Sequence, residues 1–287
     1  MEPLANYNGV IMPLSEVRIP AQDRGFLFGD AIYEVLRIYQ GRPWLVDDHF
    51  KRLNRSLSAI AIRGVDLGRL RERMLTTIAR GKFQEAIAYI QVTRGSAPRA
   101  HAFPSDAVPL ELLYIAEFND PYRQDRERGA SVITHPDIRW ERCDIKSTNL
   151  LANVFAAQVA REAGCVEALL YLPDGTLTEA SHNSFFGILD GAVLTTPLGN
   201  AILPGITRGL VMSLCAAAGI PIREHSLKRT DLPHVSELFL TGTTTEVLPI
   251  VRVDGSAIGI GQPGPVTRRL QTAYRQRIEN FVSTSTD

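Results

Sequence analysis

From Ala31 to Tyr39 the chain is dominated by apolar and aromatic residues, and Gln40–Gly41 closes the run with a turn, so the run predicts a strand. Side chains alternate across a strand. Tyr33, Val35, Arg37 and Tyr39 then share one face, and Ile32, Glu34, Leu36 and Ile38 the other. Beyond the turn the period lengthens. Phe50, Leu53, Leu57 and Ile60 form the stripe of a helix that starts at about Asp47, a good capping residue, with Lys51, Arg52 and Arg55 off the stripe. Leu70, Met74 and Ile78 predict a second helix over about 67–79, ended near Gly81. Strands follow at about 87–93 and 110–118. Between them, residues 94–109 hold Gly95, Pro98, Pro104 and Pro109 and form a loop.

The stretch 119–129 is polar and dense in charge (Asp120, Arg123, Asp125, Arg126, Glu127, Arg128), the pattern of an interdomain linker. It divides a smaller N-terminal domain, 1–118, from a larger C-terminal one, 130–287. The second part predicts a strand near 130–135 and a helix over about 149–163 ended by Gly164. Strands come next at about 167–172, 184–189 and 192–196, separated by Asp174–Gly175 and Asp190–Gly191 turns. A helix over about 207–218 is stopped by Gly219 and Pro221; a strand at 237–240 and a C-terminal helix from about Pro265 complete the chain. Strands and helices alternate in both halves with hairpins mixed in, so the fold class is α/β of the mixed (α+β) kind.

Composition narrows the function. Lys and Arg number 31 and Asp and Glu also 31, so there is no global basic field to hold nucleic acid. The three cysteines are scattered and form no CxxC pair, which argues against a disulfide framework or a cysteine zinc site and fits a reducing compartment. Residues 1–14 lack the basic-then-apolar pattern of a signal peptide, and no uncharged apolar run reaches the roughly 18 residues of a membrane span. The expected location is the cytoplasm, with no membrane partner. The six histidines do not cluster at metal-ligand spacings, so no metal is expected. Gly259–Ile260–Gly261–Gln262–Pro263–Gly264 matches a literal GxGxxG, but no βαβ unit follows it, and it is read as a surface loop.

Some residues suggest chemistry. Lys146 stands between apolar Ile145 and a helix start; a partly buried amine there suits Schiff-base chemistry, while a surface lysine also fits. Glu179 is a carboxylate able to hold a protonated ring nitrogen or to serve an ordinary turn. Gly205–Ile206–Thr207 opens a helix whose free N–H groups favour a phosphate, or is a plain cap. Gly242–Thr243–Thr244–Thr245 offers hydroxyls of the same kind, and Arg52 a fixed planar cation. Arg99 and His101, two apart in a proline-braced loop, can clamp a carboxylate.

In chain order these pieces resemble the class IV, fold-type IV aminotransferases that use pyridoxal 5′-phosphate (PLP), with the D-amino-acid aminotransferases as the nearest branch. The resemblance rests on Arg24–Gly25–Phe26–Leu27–Phe28–Gly29–Asp30, Tyr33–Glu34, Val92–Thr93–Arg94–Gly95 and Arg99–Ala100–His101. It continues through Ile138–Arg139–Trp140, Arg142–Cys143–Asp144–Ile145–Lys146–Ser147 and Thr178–Glu179–Ala180–Ser181 to Leu203–Pro204–Gly205–Ile206–Thr207–Arg208 and Thr243–Thr244–Thr245–Glu246.

The resemblance implies a two-domain enzyme with its active site between the domains and ping-pong transfer between a D-amino acid, such as D-alanine, and a 2-oxo acid, such as 2-oxoglutarate. Lys146 would carry PLP as a Schiff base and shuttle the proton. Glu179 would pair with the ring nitrogen. Arg52, Ile206, Thr207 and Thr243 would cup the phosphate, and Leu203 would pack on the ring. Tyr33, Arg99 and His101 would trap the substrate carboxylate, the last two supplied by the neighbouring subunit of a homodimer. Arg37 and Thr244 are further substrate-binding candidates. Arg37 also fits a structural ion pair, and an arginine in that strand occurs in branched-chain L-aminotransferases too. His182 and Gly242 stand where D-specific members carry hydroxyl residues, which implies a pocket of different size or charge. Two other readings share Lys146 and the phosphate cup: a branched-chain L-aminotransferase, which Arg99–Ala100–His101 argues against, and a PLP lyase resembling aminodeoxychorismate lyase. A non-enzymatic role for the fold is opposed by the intact Lys146 and Glu179.

Overall fold

The structure is a computed structural model that describes residues 2–284. The chain divides into two units: Met1–Asn119 with Ile145–Asn149, and Asp120–Asp144 with Leu150–Asp287. The expected division left 145–149 with the second half; the structure corrects this. Ile145 is buried in the core of the first unit, the Tyr33 N–H donates to the Lys146 carbonyl at 2.9 Å, and the Thr148 N–H donates to the Ala31 carbonyl at 3.1 Å. The backbone groups at the start of the Ala31–Tyr39 strand need partners, and this short segment supplies them.

The first unit is a six-stranded antiparallel sheet of β1 (Leu4–Tyr7), β2 (Val10–Pro13), β3 (Ala31–Tyr39), β4 (Arg42–Pro43), β5 (Ala86–Thr93) and β6 (Leu110–Glu117), in the order β2-β1-β6-β5-β3-β4. Short α1 (Arg24–Phe28) precedes β3; α2 (Val46–Ala59) and α3 (Leu67–Gly81) contribute Leu53, Leu57, Leu70 and Met74 to a core shared with Ile32, Leu36 and Ile38 of β3. Leu53 is fully buried, and Leu53→Ala would cost roughly 2–5 kcal/mol. Helix α2 differs from expectation at its start. Leu45, with φ of 53°, precedes it, and Asp47 lies in the first turn, where it takes Arg71 at 2.6 Å. Its buried face is also wider than the apolar stripe, because it includes His49, Arg52 and Ser56.

The second unit is built on a nine-stranded sheet. Its strands are β7 (Ala130–Pro136), β8 (Glu167–Tyr171), β9 (Leu177–Ala180), β10 (Ser184–Leu189), β11 (Ala192–Thr195), β12 (Ile222–Glu224), β13 (Glu237–Gly242), β14 (Glu246–Val253) and β15 (Ser256–Ala257). The order is β12-β11-β10-β13-β14-β7-β8-β9, with β15 on β14. The stretch expected to be a linker holds α4 (Arg123–Arg128), whose Arg126 and Glu127 carbonyls accept from Arg268. The parallel pairs β7–β8 and β11–β12 are joined through α5 (Leu151–Glu162) and α6 (Ile206–Ala217), as parallel strands require a crossover. The last helix is α7 (Pro265–Ser283). One sheet-side core gathers Phe186, Phe239, Val211 and Tyr274; another gathers Leu177, Phe185, Leu240 and Leu248. The GxGxxG run is the loop before α7. A side chain at Gly259 would stand 2.1 Å from the Ser236 carbonyl oxygen, so packing alone explains that glycine. No helix among the described residues is long and apolar enough to cross a membrane.

Candidate active site

In the first unit β3 and α2 face each other through three buried polar groups. Glu34 sits on the core face of β3 among Ile32, Leu36 and Ile38, and is 1% exposed. Arg52 donates to it twice, Nε to Oε1 and Nη2 to Oε2, each at 2.7 Å. His49 Nδ1 lies 2.8 Å from Oε2. Arg52 lies off the apolar stripe of its helix, yet it is buried, because residues 49, 52, 53 and 56 form one face of α2 and Glu34 satisfies its charge. Although burial opposes its charge, Arg52 and His49 hold the Glu34 carboxyl down at about 2. His49 is pushed down from its ordinary value, first by burial and then by the charges of Arg52 and Lys146 against the pull of Glu34.

Lys146 stands on the segment pinned to β3. It is half-buried, with its backbone N–H 3.3 Å from the Ser56 hydroxyl and its ammonium 4.2 Å from the centre of the Tyr33 ring. Tyr33 stacks in turn on Tyr89, and Tyr89 on Tyr114. Arg37, on the same strand face as Tyr33, is committed elsewhere. Nη1 donates to the Ile38 and Ala86 carbonyls, Nη2 meets Glu85 at 2.6 Å, and Tyr39 and Phe118 pack on its guanidinium. At 5% exposure it is held by these contacts, which suit the structural ion pair that the sequence also allowed.

Arg99 and His101 are exposed, as the loop reading requires, and meet at Phe28, with the guanidinium 5.4 Å and the imidazole 5.7 Å from that ring. Their loop is anchored by Arg24, which donates to the Ala100 and His101 carbonyls at 2.6 and 3.2 Å and pairs with Asp30. Arg94 also pairs with Asp30. Of the expected carboxylate trap, Tyr33 meets Lys146, and Arg99 and His101 both meet Phe28.

In the second unit Glu179 lies on β9, a strand the sequence did not disclose, and is 6% exposed. Its Oε1 takes Arg139 Nη1, and both its oxygens lie 3.2 Å from the Leu203 N–H. Arg139 divides itself, giving Nε and Nη2 to Asp137 at 2.9 and 2.8 Å. Burial therefore wins at Glu179 and pushes its carboxyl up, to about 7, with the Asp137 charge adding to the rise. Leu203 is half-buried on the loop that leads to Gly205 and α6. Ile206 is the first residue of α6 and Thr207, next to it, is buried. Gly205 has no side chain to cap the helix, and a Cβ there would stand 2.7 Å from the Ser184 hydroxyl. Opposite Ser184 across the sheet, the Thr241 hydroxyl is buried without a partner among the described residues.

Thr243 and Thr244 are half-buried in the tight turn between β13 and β14. Asn183 fixes this turn: its Oδ1 accepts from Thr245 Oγ1 at 2.7 Å, and its Nδ2 donates to buried Glu167 at 2.8 Å. A side chain at Gly242 would stand 2.1 Å from that same Oδ1, which accounts for the missing hydroxyl there. His182, 47% exposed, anchors its ring on Glu167 at 2.7 Å.

These features fit a phosphorylated pyridine cofactor on two counts. The uncapped start of α6, with buried Thr207 and the orphaned Thr241 hydroxyl, offers donors to a phosphate. Glu179 is a buried carboxyl that receives one Arg139 nitrogen and the Leu203 N–H, which leaves it acceptor capacity for a ring N–H. Thiol chemistry has no comparable support, since burial pushes Cys143 and Cys215 up to about 11.

Known proteins agree. The amino-transferase class IV family pattern matches residues 31–253. The chain is 38% identical over 276 residues to a protein of Bacillus licheniformis named D-alanine aminotransferase, covering 95% of this chain and 96% of that one. It is also 38% identical to the D-alanine aminotransferase of Staphylococcus haemolyticus, over 95% of this chain and 97% of that one. Among solved structures, the Escherichia coli branched-chain amino acid aminotransferase superposes with a TM-score of 0.89 at 23% identity, covering 96% of this chain and 94% of that one. The branched-chain amino acid aminotransferase of T.th., solved with pyridoxamine 5′-phosphate, also gives 0.89 at 23% identity, covering 98% and 95%. At that identity the structural likeness speaks for the fold, which is that of fold-type IV enzymes. Family pattern and curated relatives together place this chain among the class IV amino-transferases.

Proposed function

We propose that this aminotransferase uses PLP and moves the amino group between a D-amino acid, such as D-alanine, and a 2-oxo acid, for which 2-oxoglutarate is the candidate. The observation that carries the D reading over the branched-chain L reading is the commitment of Arg37. The residue that spoke for an L-enzyme is buried against Glu85, while Arg99 and His101 stand exposed on an anchored loop. The relatives named D-alanine aminotransferase support the same side.

When bound, PLP supplies a carbonyl for the amino group and an electron sink for the charge that develops at the substrate Cα. Lys146 holds the cofactor and moves the proton at that carbon. Glu179 accepts the ring N–H and keeps the ring protonated. Leu203 packs on the ring. Arg52, Ile206, Thr207 and Thr243 hold the phosphate. Tyr33, Arg99 and His101 bind the α-carboxylate, with Thr244 beside the substrate. By the family resemblance, Arg99 and His101 serve the neighbouring copy of a homodimer, and their exposure on an anchored loop suits that role. The free cysteines suit the cytoplasm, where we place the enzyme.

The test is an absorption spectrum of the holoprotein with D-alanine and, separately, L-leucine, no acceptor being present. The expected result is loss of the bound cofactor's visible band with D-alanine alone. Loss with L-leucine alone would make it an L-enzyme. Pyruvate release from a chorismate-derived amine without any 2-oxo acid would make it a lyase.

A further inference from the structure

We propose that Glu34 is a positioning residue for the cofactor phosphate: braced by His49, it locks the Arg52 guanidinium in one orientation, and phosphate affinity depends on that lock. The inference rests on the reading of Arg52 as a phosphate ligand and extends it to two residues that reading leaves without a task.

Glu34 is out of place as a structural residue. It occupies the core face of β3, where its neighbours along the strand are Ile32, Leu36 and Ile38. A buried ion pair stabilises a fold no better than apolar side chains of the same volume, because both charges must leave water. The arrangement gives orientation instead. An arginine side chain has about 2 kcal/mol of rotamer freedom to lose when it binds a ligand. Here that freedom is already gone. Two parallel bonds of 2.7 Å, from Nε and Nη2, fix both the plane and the direction of the guanidinium. His49 stops Glu34 from turning with the arginine, since its Nδ1 sits 2.8 Å from Oε2 and its ring is 1% exposed. Burial favours the neutral imidazole, whose proton then belongs on Nδ1, facing the carboxylate. Glu34 also balances the arginine charge while no phosphate is bound.

The test compares dissociation constants of PLP and of pyridoxal, the same ring without its phosphate, measured on the apoprotein by equilibrium dialysis. Three chains are compared: unchanged, Arg52→Ala and Glu34→Gln. Expected for Glu34→Gln is a PLP constant about 10- to 100-fold higher, the scale of a lost charge-assisted bond, with the pyridoxal constant within about twofold. Glu34→Asp, which keeps the charge but retracts the fork, should show the same split; it decides the matter if Glu34→Gln does not fold. A PLP preference that survives in both Glu34 variants but collapses in Arg52→Ala would overturn the inference and leave the arginine assignment standing. Equal weakening of PLP and pyridoxal would reduce Glu34 to a structural role and overturn it too. A PLP preference undiminished in Arg52→Ala would remove the arginine assignment and the inference with it.

Discussion

Two buried glutamates, one in each unit, each face an arginine and end in opposite electrostatic states. Glu34 is held down at about 2, whereas Glu179 is pushed up to about 7. Burial is alike; what differs is how the arginine is shared. Arg52 gives Glu34 both prongs of its fork, and His49 adds a third donor. Arg139 gives both prongs to Asp137 and a single contact to Glu179, and the Asp137 charge repels. A carboxylate with undivided partners is a permanent anion suited to fixing other groups. One that receives half an arginine remains open to a further donor, and a ring N–H would complete it.

Four measurements break or sharpen this contrast. The largest effect belongs to Lys146, the amine beside the Glu34 group. Lys146→Ala should lower turnover by at least about 10³-fold with circular dichroism unchanged, and substantial residual activity would remove Lys146 from the chemistry. Next, Glu179→Gln should cut kcat about 10²-fold in cofactor-saturated enzyme. If Glu179→Gln raised only the cofactor constant, the two carboxylates would be doing the same work. Smaller is Arg99→Ala, for which the KM of D-alanine should rise about tenfold with kcat less affected. An unchanged KM would move the carboxylate trap elsewhere. The smallest is Asp137→Asn. By returning Arg139 to Glu179 it should bring the Glu179 titration down from about 7 toward its ordinary 4.5, followed by carboxyl carbon NMR in the apoprotein.

The same contrast fixes the pH response of the apoprotein. The Glu34 carboxyl is depressed on folding, so it stabilises above about 4.5, and that contribution is lost as pH falls toward about 2. The Glu179 carboxyl is raised, so this shift costs nothing below about 4.5, and its cost grows as pH climbs from there to about 7 and then levels off. Denaturant midpoints of Glu179→Gln and the unchanged chain should therefore converge at acid pH and part at neutral pH.

Much of this was legible in the sequence. The β3 strand and the two helices after it follow from period and residue type, whereas the set of candidate cofactor motifs follows from the family resemblance. The Lys146, Glu179 and Gly205–Thr207 segments were recognisable as a set before any was placed. What stayed hidden was hidden for physical reasons. Strands β1, β2 and β9 span four residues each and stay unassigned from sequence, whereas the Asp190–Gly191 turn marks equally short β11. In β14, Pro249 interrupts a run that would otherwise read as strand. Arg37 looked available because its partner Glu85 is 48 residues away in sequence. The Glu34–His49–Arg52 group did leave a trace: a carboxylate on an all-apolar strand face, followed by a helix with His and Arg three apart. Arg139 and Asp137 left none, since surface loops carry such pairs everywhere.

The return of the chain to the first unit at Ile145–Asn149 has a consequence for how the protein comes into being. During synthesis the first 119 residues emerge without the strip that pairs with the start of β3, and they wait for residue 149 before they can be finished. At roughly 5–20 residues per second that is a delay of a few seconds. Lys146 lies on the late strip. The nascent first unit thus gains Lys146 in the same event that completes the pairing at the start of β3.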